Sequence, residues 1–174
     1  VLIYPYYTVN GGNSTLVSIV NTTEFGKAVK VRFVEGRNSR EVLDFNLYLS
    51  PYDVWTGAVS ELVDGDGASP AILQTSDNSC TVPNIKTNSC LPVKNGMRYA
   101  SFRNYQYVNL APVGSNYNDA GPNGLDRTRE GHLEMIEMAI LPIAITSAMI
   151  SELVIICPTG ADEPRVEPAV STCE

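Results

Sequence analysis

The 174 residues read as an all-β chain: one domain in which two antiparallel sheets pack face to face. Two alternating runs and the aromatic balance predict this. Val29, Val31 and Phe33 alternate with Lys30 and Arg32, and Leu43, Phe45, Leu47 and Leu49 alternate with Asp44, Asn46 and Tyr48. A period of two places one face of each run on a core and the other in water. The polar stretch from Gly36 to Arg40 is short enough to join the runs as an antiparallel pair, with Lys30 and Arg32 facing Asp44 or Glu41 on the wet side. Nine Tyr against four Phe and one Trp favour strands with one solvated face.

Taken in order, VLIYPYYTV (residues 1–9) is an apolar, aromatic strand. Pro5 cannot donate to a ladder, so this strand belongs at a sheet edge or a junction. Asn10 to Asn13 is a turn, Thr15 to Val20 a second strand, and Asn21 to Gly26 leads into the alternating pair, so the first half reads as a four-strand meander. Ser50 and Pro51 end the long strand. Val54 to Val59 restarts it around Trp55, an expected core residue whose N–H needs a partner.

Asp64-Gly65-Asp66-Gly67 is a loop. Asp64 and Asp66 are a weak calcium candidate, because no third ligand or closing Glu completes the pattern. Ala71 to Thr75 is a short strand. Residues 97–110 mix parities and read as an edge strand followed by an irregular ribbon, whose Arg98, Tyr99, Arg103, Tyr105 and Tyr107 would suit a sugar or protein surface.

Ala111 to Arg129 has no apolar periodicity and reads as a long loop, a class often functional. The following GHLEMIEMAIL fits alternation and helical spacing about equally and is assigned as a strand by its neighbours. Leu133 to Cys157 is the most apolar run, yet Glu134, Glu137, Pro142 and Glu152 interrupt it, so it is not a membrane-spanning helix. Ser147 to Ile156 fits a short helix or a final strand. Residues 158–174, with three prolines and four acids, read as an extended tail.

The chain is long enough to bury about two-thirds of its unfolded surface in a single core. A net charge of −7 with twelve scattered Lys and Arg opposes a nucleic-acid surface, which needs clustered cations. The start at Val1 without Met is read as a mature terminus left by signal-peptide cleavage. Four cysteines agree with an oxidising compartment. They allow three connectivities, and the local one, Cys80 with Cys90 and Cys157 with Cys173, is preferred because each pair brackets a loop-like stretch. No C-x-x-C pair accompanies the single histidine, His132, which disfavours zinc.

Catalytic constellations are not evident. His132 has Arg129, Glu130 and Glu134 for neighbours and no Gly-x-Ser-x-Gly elbow in the chain to serve. Glu134 and Glu137, three apart on a strand, point to opposite faces and would not flank one bond. No cofactor is expected. The sequons at Asn13 and Asn21 fall at turns and are glycan sites only in a eukaryotic secretory pathway.

Residues 4–59, the segment DNSCTVP and the block LDRTREGHLEMIEM resemble a group of uncharacterised secreted or cell-surface proteins of Gram-negative bacteria. Its long motif reads KAVKVRFxEGxNSREVLDFNLYLSPxDVW. The resemblance covers about half the chain and implies a bacterial, extracellular or cell-surface location. It implies no activity.

The expectation is a secreted sandwich of Ig-like or jelly-roll type spanning residues 1–174, with long loops and two local disulfides. Its leading role is a structural subunit assembling with its own copies into a filament or extracellular matrix. Val1, Leu2, Ile3, Tyr4, Tyr6, Tyr7 and Val9 would form a strand shared with a neighbour. The alternative is a carbohydrate- or protein-binding module that uses the tyrosine ribbon.

Overall fold

A computed structural model describes residues 1–104, 119 and 121–141. Eleven strands are formed: β1 Leu2–Thr8, β2 Thr15–Val20, β3 Gly26–Glu35, β4 Glu41–Leu49, β5 Val54–Glu61, β6 Ala71–Gln74, β7 Cys80–Val82, β8 Val93–Lys94, β9 Met97–Arg98, β10 Ala100–Ser101 and β11 Glu130–Leu141. The described residues contain no α-helix, only 3-10 turns at Asn10–Gly12 and Leu125–Arg129.

All pairings are antiparallel. One sheet has the order β1-β11-β3-β4-β7 and the other β10-β6-β5-β2, while β8 and β9 form a separate hairpin. Val29, Val31, Phe33, Phe45 and Leu47 of the first sheet share one core with Val17, Ile19, Trp55, Val59 and Leu73 of the second. This is the arrangement of a β-sandwich. Tyr7, Phe33 and Phe102 meet with ring centroids 4.9 to 5.6 Å apart.

The central hairpin forms as its alternation predicts. Lys30 ion-pairs with Asp44, and Arg32 reaches Glu41 at 2.9 Å and Glu134 at 3.3 Å. Lys27 reaches Glu137 at 3.0 Å. The outer face of the five-stranded sheet is thus a lattice of part-exposed ion pairs around Lys30 and Arg32, each contributing about 0–1 kcal/mol, while the Lys27–Glu137 pair lies on the opposite face, where the two sheets part.

The expected meander is corrected. β1 pairs with β11, and β2 pairs with β5 in the other sheet. Gly11 and Gly12, both at positive φ, turn the chain across the sandwich. Thr15 Oγ1 braces the crossing by accepting from Thr8 N at 3.0 Å and donating to Thr8 O at 3.1 Å. A turn signal gives a reversal but not the sheet that receives the next strand.

β1 lies at an edge, with a register break between Tyr4 and Tyr7 around Pro5. β11 forms as a strand in the interior of the sheet, between β1 and β3. At its start Gly131 lies so close to β3 that a Cβ there would sit 2.0 Å from Val34 O. Trp55 is fully buried against Phe45, centroids 5.7 Å apart, but its Nε1 has no hydrogen-bond partner among the described residues. The expected partner for that N–H is therefore not found.

Asn21 is 4 % exposed, and its Nδ2 donates to Phe25 O and Ser50 O, each at 2.7 Å. Its sequon is packed into the fold, whereas Asn13 is exposed. No cysteine among the described residues is a free thiol. Cys157, Cys173, the apolar stretch after Leu141 and the tail lie outside the described residues.

Candidate functional site

The two ends of the sandwich differ in chemistry. At one end, the segment Leu125–Arg129 places two arginines in the interior. Arg127 Nε donates to Glu35 Oε2 at 3.1 Å, its Nη1 donates to Asp119 Oδ1 at 2.8 Å, and its Nη2 also bonds Asp119. Glu35 is fully buried and accepts the backbone N–H groups of Arg37 and Asn38, both at 2.8 Å, and of Arg40 at 3.2 Å. Arg129 pairs with Glu61 and donates to Ser69 O at 2.9 Å, Val9 O at 3.3 Å and Asn10 Oδ1 at 2.8 Å.

The hydrogen bond from Arg127 holds the Asp119 carboxyl well below the usual carboxylate range, and the bond from Arg129 lowers Glu61, aided by the Gly65 N–H. These charges are matched by opposite charges and backbone groups, which is how buried ions are held in a fold.

The other sequence candidates are placed as follows. His132 Nε2 lies 3.8 Å from Glu134 Oε1, beyond hydrogen-bond range. Glu134 and Glu137 are paired with Arg32 and Lys27. Asp64 is ion-paired with Lys94 at 2.7 Å, and Asp66 Oδ1 accepts Ala68 N at 3.2 Å. No group of three or more His, Cys, Asp or Glu suited to a metal occurs among the described residues. Arg98 donates to Ser89 O at 3.3 Å and Leu91 O at 2.6 Å, which holds it to its own loop. Tyr99 is half-buried and Arg103 exposed. Tyr105 and Tyr107 lie outside the described residues, so the ribbon is not brought together here.

The candidate that remains is a side of the sandwich, formed by β1 and β2. The strand assigned to assembly is divided by it. Tyr7 and Val9 are fully buried in the protein's own core, with Tyr7 Oη donating to Thr128 O at 3.1 Å and Val9 N to Arg129 O at 2.9 Å. Sharing them with a neighbour would mean opening that core, with the neighbour's own core receiving them in exchange. Tyr4 is half-buried and spans the side by donating from its hydroxyl to Ser18 O. Val1 (82 % exposed), Leu2, Ile3 and Tyr6 remain exposed.

β2 alternates Val17 and Ile19 into the core with Leu16 and Val20 outward, at 80 % and 53 % exposure. Where β1 begins and β2 ends, the sheets part around a groove of about 280 Å³. Leu2, Ile19, Val20, Val29, Leu49 and Met135 line it, with Lys27 and Glu137 at its wall. The outward residues of β2 and its neighbour β5 are Leu16, Ser18, Val20, Val54, Thr56 and Ala58, and none carries a charge. The contrast with the ion-pair lattice on the other sheet is the clearest asymmetry of the molecule.

The two buried ion-pair groups were not visible in the sequence, because Glu35 and Arg127 stand 92 positions apart. The only signal was that both arginines sit in the block LDRTREG before an apolar strand. No family model, no curated protein and no solved structure matches this chain.

Proposed function

We propose that the protein is an extracellular structural subunit, secreted or held at a bacterial cell surface, that assembles with copies of itself into a filament or matrix. The observation that carries this reading is the uncharged side formed by β1 and β2, where exposed Val1, Leu2, Ile3, Leu16 and Val20 adjoin two sheet edges. An unpaired edge offers a row of main-chain donors and acceptors to another strand, and flanking apolar side chains add the burial that makes such a contact stable. A sandwich of Ig-like or jelly-roll order, with Cys80 bonded to Cys90 and Cys157 to Cys173, goes with this role, since local disulfides would stabilise the subunit outside the cell by about 2–4 kcal/mol each.

Negative-stain electron microscopy of the native secreted material, with light scattering of the purified chain, tests the reading. Filaments or sheets with a regular repeat are expected. A monodisperse particle of 18.9 kDa at all concentrations would overturn it.

A further inference from the structure

Among the described residues the two sheets present four edges: β1, β7, β10 and β2. Proteins protect edges by keeping them short, by proline or by a bulge. β7 has three residues and β10 two, and β1 carries Pro5 and a register break. β2 has none of these devices. Its six residues, TLVSIV, contain no proline, glycine or charge and keep an unbroken register from Thr15↔Val59 to Val20↔Val54.

The direction of the β2 backbone groups follows from β5. Thr56 N donates to Asp77 Oδ2 at 3.1 Å, and Thr56 O accepts from Thr75 Oγ1 at 2.6 Å. Both Thr56 groups therefore point away from β2, so those of Ser18, directly opposite, point away from β5. The Tyr4 hydroxyl on Ser18 O agrees, and it leaves that oxygen a second lone pair. By alternation, Leu16 and Val20 also present N–H and C=O to the open side.

We propose that β2 pairs antiparallel with β2 of a second copy about a twofold axis at Ser18, joining two four-stranded sheets into one of eight. This names the partner of the edge and rests on the self-assembly reading above. A twofold contact must complement itself, and this strand does so. Reversal about Ser18 sets Leu16 opposite Val20 of the second copy on the outer face and Val17 opposite Ile19 on the inner face. No charge meets a charge. The register makes about six main-chain hydrogen bonds, two from each facing pair of outward residues. β1 lies alongside β2, linked to it by Tyr4 on Ser18 and Thr8 on Thr15. A twofold contact closes at two copies, which makes the pair the unit from which a filament grows through a second surface.

The test is the mass in solution of the full chain by light scattering, with circular dichroism to verify folding. The double variant L16K/V20K faces lysine with lysine across the axis and is expected to halve the mass of the smallest assembled unit. L16K/V20E faces lysine with glutamate and is expected to restore it. Independently of these, Ser18→Cys places two thiols on the axis, at a Cα separation of about 5.5 Å in this pairing, within disulfide reach; a reducible dimer is expected on oxidation.

Wild-type assemblies whose mass L16K/V20K leaves unchanged would overturn the β2 pairing while the assembly reading stands. Dimers that never grow, but split in L16K/V20K, would uphold the pairing and overturn the filament. A wild-type monomer at every concentration would overturn both. If L16K/V20K does not fold, absence of the Ser18→Cys dimer overturns the pairing.

Discussion

Gly131→Ala should destabilise the protein far more than a single methyl group suggests. Gly131 lies between Tyr7 of β1 and Glu35 of β3. A Cβ at this position would stand 2.0 Å from Val34 O and 2.9 Å from both Glu35 Cα and Val34 C. Carbon and oxygen in adjacent strands approach to about 3.3 Å, so β11 would have to withdraw from β3 by roughly 1 Å. Every atom in the way is backbone, and no side chain can swing aside.

Withdrawal stretches the ladder on which Leu133 and Met135, both buried, are carried into the core. The cost should reach the upper end of overpacking, about 3 kcal/mol. For a chain of this length that lowers the melting temperature by about 6–12 °C. Thermal unfolding followed by circular dichroism measures it, with Gly67→Ala as the control, because nothing lies within 4 Å of a Cβ there. If Gly131→Ala melted within about 2 °C of wild type, the close-approach reasoning would be refuted.

Other consequences can be checked with the same apparatus. Asn21→Ala removes two donors to Phe25 O and Ser50 O and the acceptor of Thr23 N and Oγ1, and should cost about 2–3 kcal/mol; Asn13→Ala, at an exposed turn, should leave the melting temperature nearly unchanged, and equal effects would contradict this. Asp119 and Glu61 have carboxyls held below their usual range, so their contribution is present above the unfolded carboxylate pKa and is lost as pH falls through the lowered folded values. The melting temperature should accordingly decline from about pH 5 downward, and more gently in Asp119→Asn; parallel pH profiles for the variant and wild type would refute the assignment.

The half-buried strands were legible because alternation is a local property. Val29 to Phe33 and Leu43 to Leu49 each carry their own evidence of a wet and a dry face, and β3 and β4 pair as that pattern requires. The placement of β1 beside β11 was not legible, since its partner begins more than 120 residues later. Pro5 announced an edge but not which sheet owned it. The buried ionic groups at Arg127 and Arg129 were hidden for the same reason: arginine in a polar segment gives no sign of burial until Glu35 and Glu61 arrive from strands far upstream.

The edge at β2 was legible only in part. TLVSIV reads as a strand, and its alternation is plain. That it ends a sheet depends on β5 having β6 as its other neighbour, which no local pattern records.

The antiparallel seam between β1 and β11 has a mechanical consequence. Leu2 pairs with Met135 and Thr8 with Glu130, so the backbone at residue 1 and at residue 141 emerges toward the same end of the sandwich. Tension applied through those two points would load the seam one rung after another, as a zipper opens, and little force would part it. A pull across β2 in the plane of its sheet would load all its rungs together, so a fibre under strain would be sounder joined through that edge than through residues 1 and 141.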